Sequence, residues 1–145
     1  MPVQTRYSGD DVAVIGALVP TVQANNTTAS SRVKLGDFHT YMAVINIGSL
    51  QTSLNAKIVQ YDAASDGNSK DLPGAAITAL GGEDDNKQVV IEFDGIEFDT
   101  DNGYFWFAVS CTAVGTVFSS VVILGVHPRA DTASNEQTAV ERVLV

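Results

Sequence analysis

Short runs of apolar residues, many with polar residues at alternate positions, recur along the chain, and helical periodicity is nearly absent. The runs are rich in β-branched and aromatic residues and are separated by Gly, Asp, Asn and Ser, as is typical of strands joined by turns. They predict strands over residues 12–19, 41–47, 54–61, 88–93, 104–112 and 117–126. We therefore expect an all-β fold, a single jelly-roll-like β-sandwich with about six to eight strands.

Alternation also predicts which side chains face the core, because successive side chains of a strand point to opposite faces. The apolar residues at alternate positions are Tyr41, Ala43, Ile45 and Ile47, then Leu54, Ala56 and Ile58, then Val89, Ile91 and Phe93. Residues 104–112 are apolar on both faces, with Phe105, Phe107, Val109 and Cys111 on one and Tyr104, Trp106, Ala108 and Ser110 on the other. Such a strand is central in a sandwich or packs its outer aromatic face against a partner.

Turn-forming residues predict where the strands end. Pro20 closes the first strand, and residues 24–31 are typical of a loop. Residues 113–116 predict a turn that joins the last two strands as a hairpin, and Pro128 ends the sandwich. Residues 62–70 and 94–103 are predicted loops. Residues 73–80 are compatible with one short helical turn, but the run is too short for the pattern to decide whether that turn forms.

The length of 145 residues fits one domain with an ordinary core. Charged residues make up 17% of the chain, fewer than the roughly 25% of a typical soluble domain, which fits a surface that other chains cover in part. We expect residues 1–11 and 129–145 to be arms that extend from the sandwich. The second arm ends in an apolar group that docks on its own sheet or adds a strand to a neighbouring subunit. This group is Val140, Val143, Leu144 and Val145.

Acidic residues outnumber basic ones, with seventeen Asp and Glu against eight Lys and Arg and a formal net charge of −9. Nucleic acids and anionic membrane surfaces bind clustered cations, so we expect neither as a partner. Residues 104–126 carry no charge, and at 23 residues they are long enough to cross a bilayer as a helix. Their Ser, Thr and Gly residues and the turn at residues 113–116 favour two strands instead.

Reactive side chains are few. His39 and His127 are far apart in sequence, and neither has a metal-ligand spacing with another His or Cys. Cys111 is the only cysteine and lies in the middle of a predicted strand, where a buried and inert thiol is expected. The polar, acidic start of the chain lacks a secretory signal, which fits synthesis in the cytoplasm. We expect no catalytic residue, cofactor or metal site, and no enzymatic activity.

Two acidic clusters are candidate calcium ligands, although solvated turns explain the same residues. They are Glu83, Asp84 and Asp85 in one cluster and Asp94, Glu97, Asp99 and Asp101 in the other. The second departs from an EF-hand loop because Gly103 stands at a ligand position. An alternative function is a carbohydrate- or ligand-binding module with calcium at Asp99 and Asp101. Its candidate stacking residues are Tyr41, Tyr61, Tyr104 and Trp106.

The order of elements resembles that of small virion proteins of tailed phages and prophages, specifically capsid cement or decoration proteins. The stretches that carry this resemblance are residues 31–37, 41–48, 75–78, 85–88, 97–104 and 121–125. The resemblance implies a β-sandwich on the outer surface of a phage head, a homotrimer that clamps neighbouring major capsid subunits. Another phage component, in the tail or in head completion, fits the same pattern. The candidate interface residues are Tyr104, Trp106, Val140, Val143, Leu144 and Val145.

Overall fold

The computed structural model describes residues 11–129, which form ten strands connected by turns and short loops. The strands are β1 (Val12–Ala24), β2 (Thr27–Ala29), β3 (Val33–Lys34), β4 (Phe38–Leu50), β5 (Ser53–Tyr61), β6 (Ser69–Ala76), β7 (Leu80–Gly81), β8 (Gln88–Asp94), β9 (Trp106–Val114) and β10 (Thr116–Pro128). Three single 3₁₀ turns lie at Gly82–Asp84, Gly95–Glu97 and Thr100–Asn102. Residues 11–129 contain no helix with the length and hydropathy needed to span a membrane.

The strands pair in two antiparallel sheets. Sheet A has the order β1-β10-β4-β8, and sheet B has β9 and β5 at its centre. In sheet B, β2 and β3 pair with the same edge of β9, and β6 and β7 pair with the outer edge of β5. This strand order, with two Greek keys folded onto each other, is that of a jelly roll. The prediction of an all-β, jelly-roll-like sandwich is confirmed.

The core lies between the two sheets and is built from the alternating residues that the sequence predicts. Tyr41 and Phe107 are 0% exposed, and their ring centroids are 5.0 Å apart in an edge-to-face arrangement. The Tyr41 hydroxyl donates to the carbonyl oxygen of Phe38 at 3.2 Å and accepts from the N–H of Gly36 at 3.3 Å, so its polar atom is satisfied in the core. Each fully buried side chain of this size stabilises the fold by about 1.5–3 kcal/mol.

The predicted hairpin between the last two strands is wrong. The turn itself forms at Gly115, which has φ +74°. However, β9 pairs with β5 in sheet B, whereas β10 pairs with β1 and β4 in sheet A. Both strands are apolar on two faces, and each is central in its own sheet. The connection therefore passes from sheet B to sheet A at one end of the sandwich.

Two predicted boundaries are also wrong, those at Pro20 and at residues 24–31, and the structure decides the open question at residues 73–80. The first strand continues through Pro20, because β1 is an edge strand with a register shift between Leu18 and Thr21, where a missing N–H is tolerated. Residues 73–80 form no helical turn, since β6 covers Ser69–Ala76 and the N–H of Ile77 still bonds to β5 through the carbonyl oxygen of Ala56. The predicted loop at residues 24–31 contains the short strand β2.

Candidate interaction surface

The outward side of sheet A is apolar over most of its area, and we call it the apolar face. Its members alternate with core residues on β1, β10, β4 and β8. The strands and turns of residues 11–129 leave these side chains half-buried or exposed, with Val22 62% exposed and Phe118 42% exposed. The apolar side chains of the face are Val12, Val14, Ala17, Val22, Met42, Val44, Val90, Phe118, Val122, Leu124 and Val126.

Strand register places these side chains in rows across the sheet. One row contains Ala17, Val122, Val44 and Val90, which are cross-strand partners in that order. The neighbouring row has Val14, Leu124 and Met42 on the same three strands. Directly opposed side chains of this kind contact each other. The rows therefore form a continuous apolar surface.

Phe118 closes one end of the apolar face. A Cβ atom on Gly48 would lie 2.9 Å from the Phe118 ring, so glycine at this position of β4 makes room for the ring. Beside the ring, a shallow depression is lined by Pro20, Gly48, Phe118 and Ser120 among others. The surface at this end therefore has both a protruding aromatic group and a hollow.

Charge is confined to one margin of the apolar face. Among residues 11–129, the charged side chains on the face are Glu92 and Asp94, both on the edge strand β8. Asp94 accepts a hydrogen bond of 3.0 Å from the Thr40 hydroxyl. The opposite margin on β1 carries Val12, Val14 and Ala17 and has no charge. The electrostatic character of the face therefore differs from one edge to the other.

The outward side of sheet B is polar, and its groups bond to one another. Lys57 and Asp71 form an ion pair with a distance of 2.9 Å between Nζ and Oδ1. The hydroxyls of Thr27 and Thr112 share a hydrogen bond of 2.9 Å. These contacts give sheet B a surface of the ordinary solvated kind.

The structure places Tyr104 and Trp106, two of the predicted interface residues, at the end of sheet B. Trp106 begins β9 and points outward with its ring 5.9 Å from Lys34 Nζ, and Tyr104 precedes the strand with Lys70 Nζ 4.4 Å from its ring centroid. Phe105 was predicted to lie on the inner face of the strand, but it is 45% exposed because β9 begins at Trp106 and Phe105 precedes it. Neither Tyr104 nor Trp106 lies on the apolar face.

The four candidate stacking residues differ in their surroundings. Tyr41 lies in the core and is unavailable to a ligand. Tyr61 and Trp106 are cross-strand neighbours, but the Arg32 guanidinium lies 3.7 Å from the centroid of the Tyr61 ring and covers one side of it. Arg32 Nη1 is held there by the carbonyl oxygens of Ala63 and Asp66, at 2.8 Å each. The Tyr61 ring is thus covered on one side by a side chain of the same chain, whereas Tyr104 and Trp106 are half-buried at the end of sheet B.

The acidic cluster at residues 94–101 is a pair of 3₁₀ turns. The Asp99 carboxylate accepts from the Asn102 side-chain amide at 2.9 Å and pairs with Lys70, and the lysine contact holds the pKa of Asp99 below its usual range. In the other cluster, a hydrogen bond from Lys87 lowers the pKa of Asp84 in the same way. Within residues 11–129, no group of three or more His, Cys, Asp and Glu side chains is arranged to hold a metal ion. One carboxylate of each cluster, Asp99 and Asp84, is thus paired with a lysine.

The remaining reactive groups lie apart. Cys111 is in the core of sheet B, as predicted, and burial raises the pKa of its thiol to about 11. His39 and His127 are both exposed, near the end of the sandwich where β4 begins and β10 ends. The predicted interface residues Val140, Val143, Leu144 and Val145 lie outside the described residues, as does most of both predicted arms.

Sequence reasoning missed the apolar face. The signal is present at residues 117–126, where Phe118, Val122, Leu124 and Val126 alternate with the core residues Val117, Val121 and Ile123. Two apolar faces on one strand indicate either a central strand covered on both sides or an exposed apolar surface. The same signal at residues 104–112 directed attention to Trp106 instead.

No protein-family model and no curated protein sequence matches the chain. Among solved structures, the chain is similar to the SPBc2 prophage-derived protein YomS, at 14% sequence identity and a TM-score of 0.39. The similarity covers 74% of this chain and 96% of that chain. A similarity at this level carries no argument about function, which therefore depends on the chain's own surfaces.

Proposed function

We propose that the protein is a structural component of a phage virion, a decoration protein that binds the outer surface of the head and joins neighbouring major capsid subunits. The observation that supports this proposal is the apolar face. Contiguous exposed apolar surface of this extent marks a site of contact with another protein. In the proposed assembly, the face is buried between protein subunits.

The reactive side chains among the described residues are few, which supports a role in binding. The nucleophile Cys111 is buried, with a pKa of about 11, and the two histidines are exposed and lie far from it in the fold. Contacts repeated at every symmetric position of a shell add through multivalency, so each contact can be weak. A sandwich with one apolar outward side is suited to that task.

The net charge of −9 supports an external position. Packaged DNA fills the inside of a head, and an acidic protein is repelled from it. The same charge disfavours binding to the phosphate backbone. The proposed location is therefore the outer surface of the virion.

Co-sedimentation with heads tests this function. Heads are prepared from the phage or prophage that encodes the chain, with this gene deleted, and mixed with the purified protein. We expect binding at a fixed ratio to the major capsid protein. Val122→Glu places a charge in the middle of the apolar face and should reduce binding at least about tenfold, because a charge buried without a partner is costly.

Asn55→Glu is the matched control, because it adds the same charge on a central strand on the outward side of sheet B. It should bind heads as the unmodified chain does. Circular dichroism and thermal unfolding verify that both variants fold. A chain that never binds the heads, or that binds an immobilised glycan in their place, would contradict the proposed function and favour a ligand-binding module.

A further inference from the structure

We propose that the partner buried on the apolar face is a second copy of this chain, packed face to face about a two-fold axis. This inference rests on the proposed function only in that both require the face to be buried. It assigns the face to contacts between copies, so that the pair is the form that binds the head and Val122→Glu weakens head binding by separating the pair. The pair would be a four-layered sandwich, with two A sheets at its centre.

The apolar face has the area that a pair of this kind needs. Strands β1, β4 and β10 have 13 residues each. At ~3.3 Å per residue and ~4.8 Å between strands, the three strands cover ~600 Å². Two copies would bury ~1,200 Å² in total, at the lower end of the range for specific interfaces. An area of this size is compatible with a reversible pair, and area alone does not set the affinity.

The shape and chemistry of the face match its own copy. Two sheets that pack face to face lie ~10 Å apart with their side chains interdigitated. The β-branched and long side chains Val44, Val122 and Leu124 stand in rows that provide such ridges and gaps. One polar row, Ser120 with Asn46 and Gln88, crosses the face. Buried amides need hydrogen-bond partners, so this row would set the register of the two copies.

The distribution of charge selects the orientation of the two copies. If the two-fold axis runs parallel to the strands, β8 of each copy lies over β1 of the other. Glu92 and Asp94 then lie at the rim of the contact, over Val14 and Val12 of the other copy, where they keep access to water and no acidic side chain meets its own copy. An axis perpendicular to the strands would place β8 on β8 and bring the acidic residues together. The parallel axis is therefore the one we assign.

Salt should strengthen the association. Each chain carries a net charge of −9, so two copies repel each other at a distance. Salt screens this repulsion and also favours burial of apolar surface. A basic partner on the same face would show the opposite dependence, because salt would weaken its attraction to Glu92 and Asp94. The sign of the salt effect thus separates a second copy from a basic partner.

Analytical ultracentrifugation of the full chain tests the inference. We expect a concentration-dependent equilibrium between one chain of 15.3 kDa and two chains, with a dissociation constant that falls severalfold between ~0.05 M and ~0.5 M NaCl. Val122→Glu should raise the dissociation constant at least about tenfold, and Val122→Thr should raise it less. Asn55→Glu, on the opposite side of the sandwich, should leave it within about twofold, because it adds the same charge away from the contact.

The inference is overturned if the chain is strictly monomeric at all salt concentrations, if Asn55→Glu weakens association as much as Val122→Glu does, or if salt weakens association. A trimer of the purified chain in solution, as the resemblance to decoration proteins implies, would also exclude the two-fold pair. Head binding separates the two proposals. If the chain is a monomer and still binds heads through the apolar face, the two-fold pair is wrong and the proposed function stands. If the chain forms the pair but does not bind heads, the proposed function is wrong and the pair stands.

Discussion

The two outward sides of the sandwich have opposite character although they enclose the same core. On sheet B, the polar groups bond within the chain, as in the pair Lys57 and Asp71 and the pair Thr27 and Thr112. On sheet A, Val22, Val90 and Phe118 are among the most exposed large apolar side chains of residues 11–129. Folding requires only the inner sides of the two sheets. The outward sides are free to differ, and the side that is costly to expose to water is the one that marks function.

The largest effect is expected where the inner and outer sides of one strand are compared. Val121 of β10 is fully buried and its neighbour Val122 lies on the apolar face. Val121→Thr places a hydroxyl in the core and should lower the free energy of unfolding by about 1–3 kcal/mol. Val122→Thr should change it by less than about 0.5 kcal/mol.

Urea unfolding in low salt and at low protein concentration measures both values, because association would otherwise add to the apparent stability. Equal losses in the two variants would mean that the outward side of β10 is packed as tightly as the core. The contrast between the two sides of sheet A would then disappear. If Val122→Thr loses less stability than Val121→Thr and also weakens self-association, the contrast between the inner and outer sides of sheet A becomes clearer.

The core was predictable from sequence and the sheet assignment was not. Alternation identified Tyr41, Ile45, Ile58 and Phe93 as inward because a half-buried strand repeats every two residues. Alternation contains no information about which sheet a strand joins. The tight turn at Gly115 suggested a hairpin, but two strands that are apolar on both faces were each placed centrally in different sheets.

The candidate site could not be predicted for the same reason. Alternation in residues 104–112 placed Trp106 on an outer aromatic face, whereas the outward valines of β10 were given no role. The edge strands were also difficult, since β6 contains Pro73 and Gly74, and the latter has φ +78°. Proline and glycine are permitted on edge strands, where fewer backbone bonds are needed, and they conceal the strand from pattern analysis.

A smaller effect is expected from the ion pair on sheet B. Lys57 and Asp71 are exposed, with 44% and 61% of their side chains accessible. A double-mutant cycle with Lys57→Ala and Asp71→Ala should give a coupling energy of about 0.2–1 kcal/mol, because solvent screens the pair. Thermal or urea unfolding of the four proteins measures it. The coupling should decrease in ~1 M NaCl.

A coupling well above that range, or one that does not respond to salt, would show that the outward side of sheet B is stabilised more than a solvated surface should be. The same cycle applied to Glu92 and Val44 on the apolar face is the control. Those residues lie on paired strands but form no ion pair, so their coupling should be near zero.

The smallest effect concerns a single titration beside sheet B. The Lys70 contact lowers the pKa of Asp99 below its ordinary value of 3.8. Because the pKa is lower in the folded chain, ionisation of Asp99 favours folding above the ordinary value, and this contribution is lost as the pH falls through the folded pKa. Lys70→Gln should raise the pKa of Asp99, although the Asn102 amide still holds it somewhat low. Carboxyl chemical shifts followed by NMR against pH measure the change.

Lys87→Gln is the matched control for this titration, because Lys87 lowers the pKa of Asp84 at the opposite end of the sandwich. It should raise the pKa of Asp84 and leave that of Asp99 unchanged. An Asp99 pKa that does not move in Lys70→Gln would mean that the turn is held by the Asn102 amide alone. Lys70 and Asp99 would then not act as an ion pair. The difference between the outward sides of sheets A and B would in that case be one of hydrophobicity and not of charge pairing.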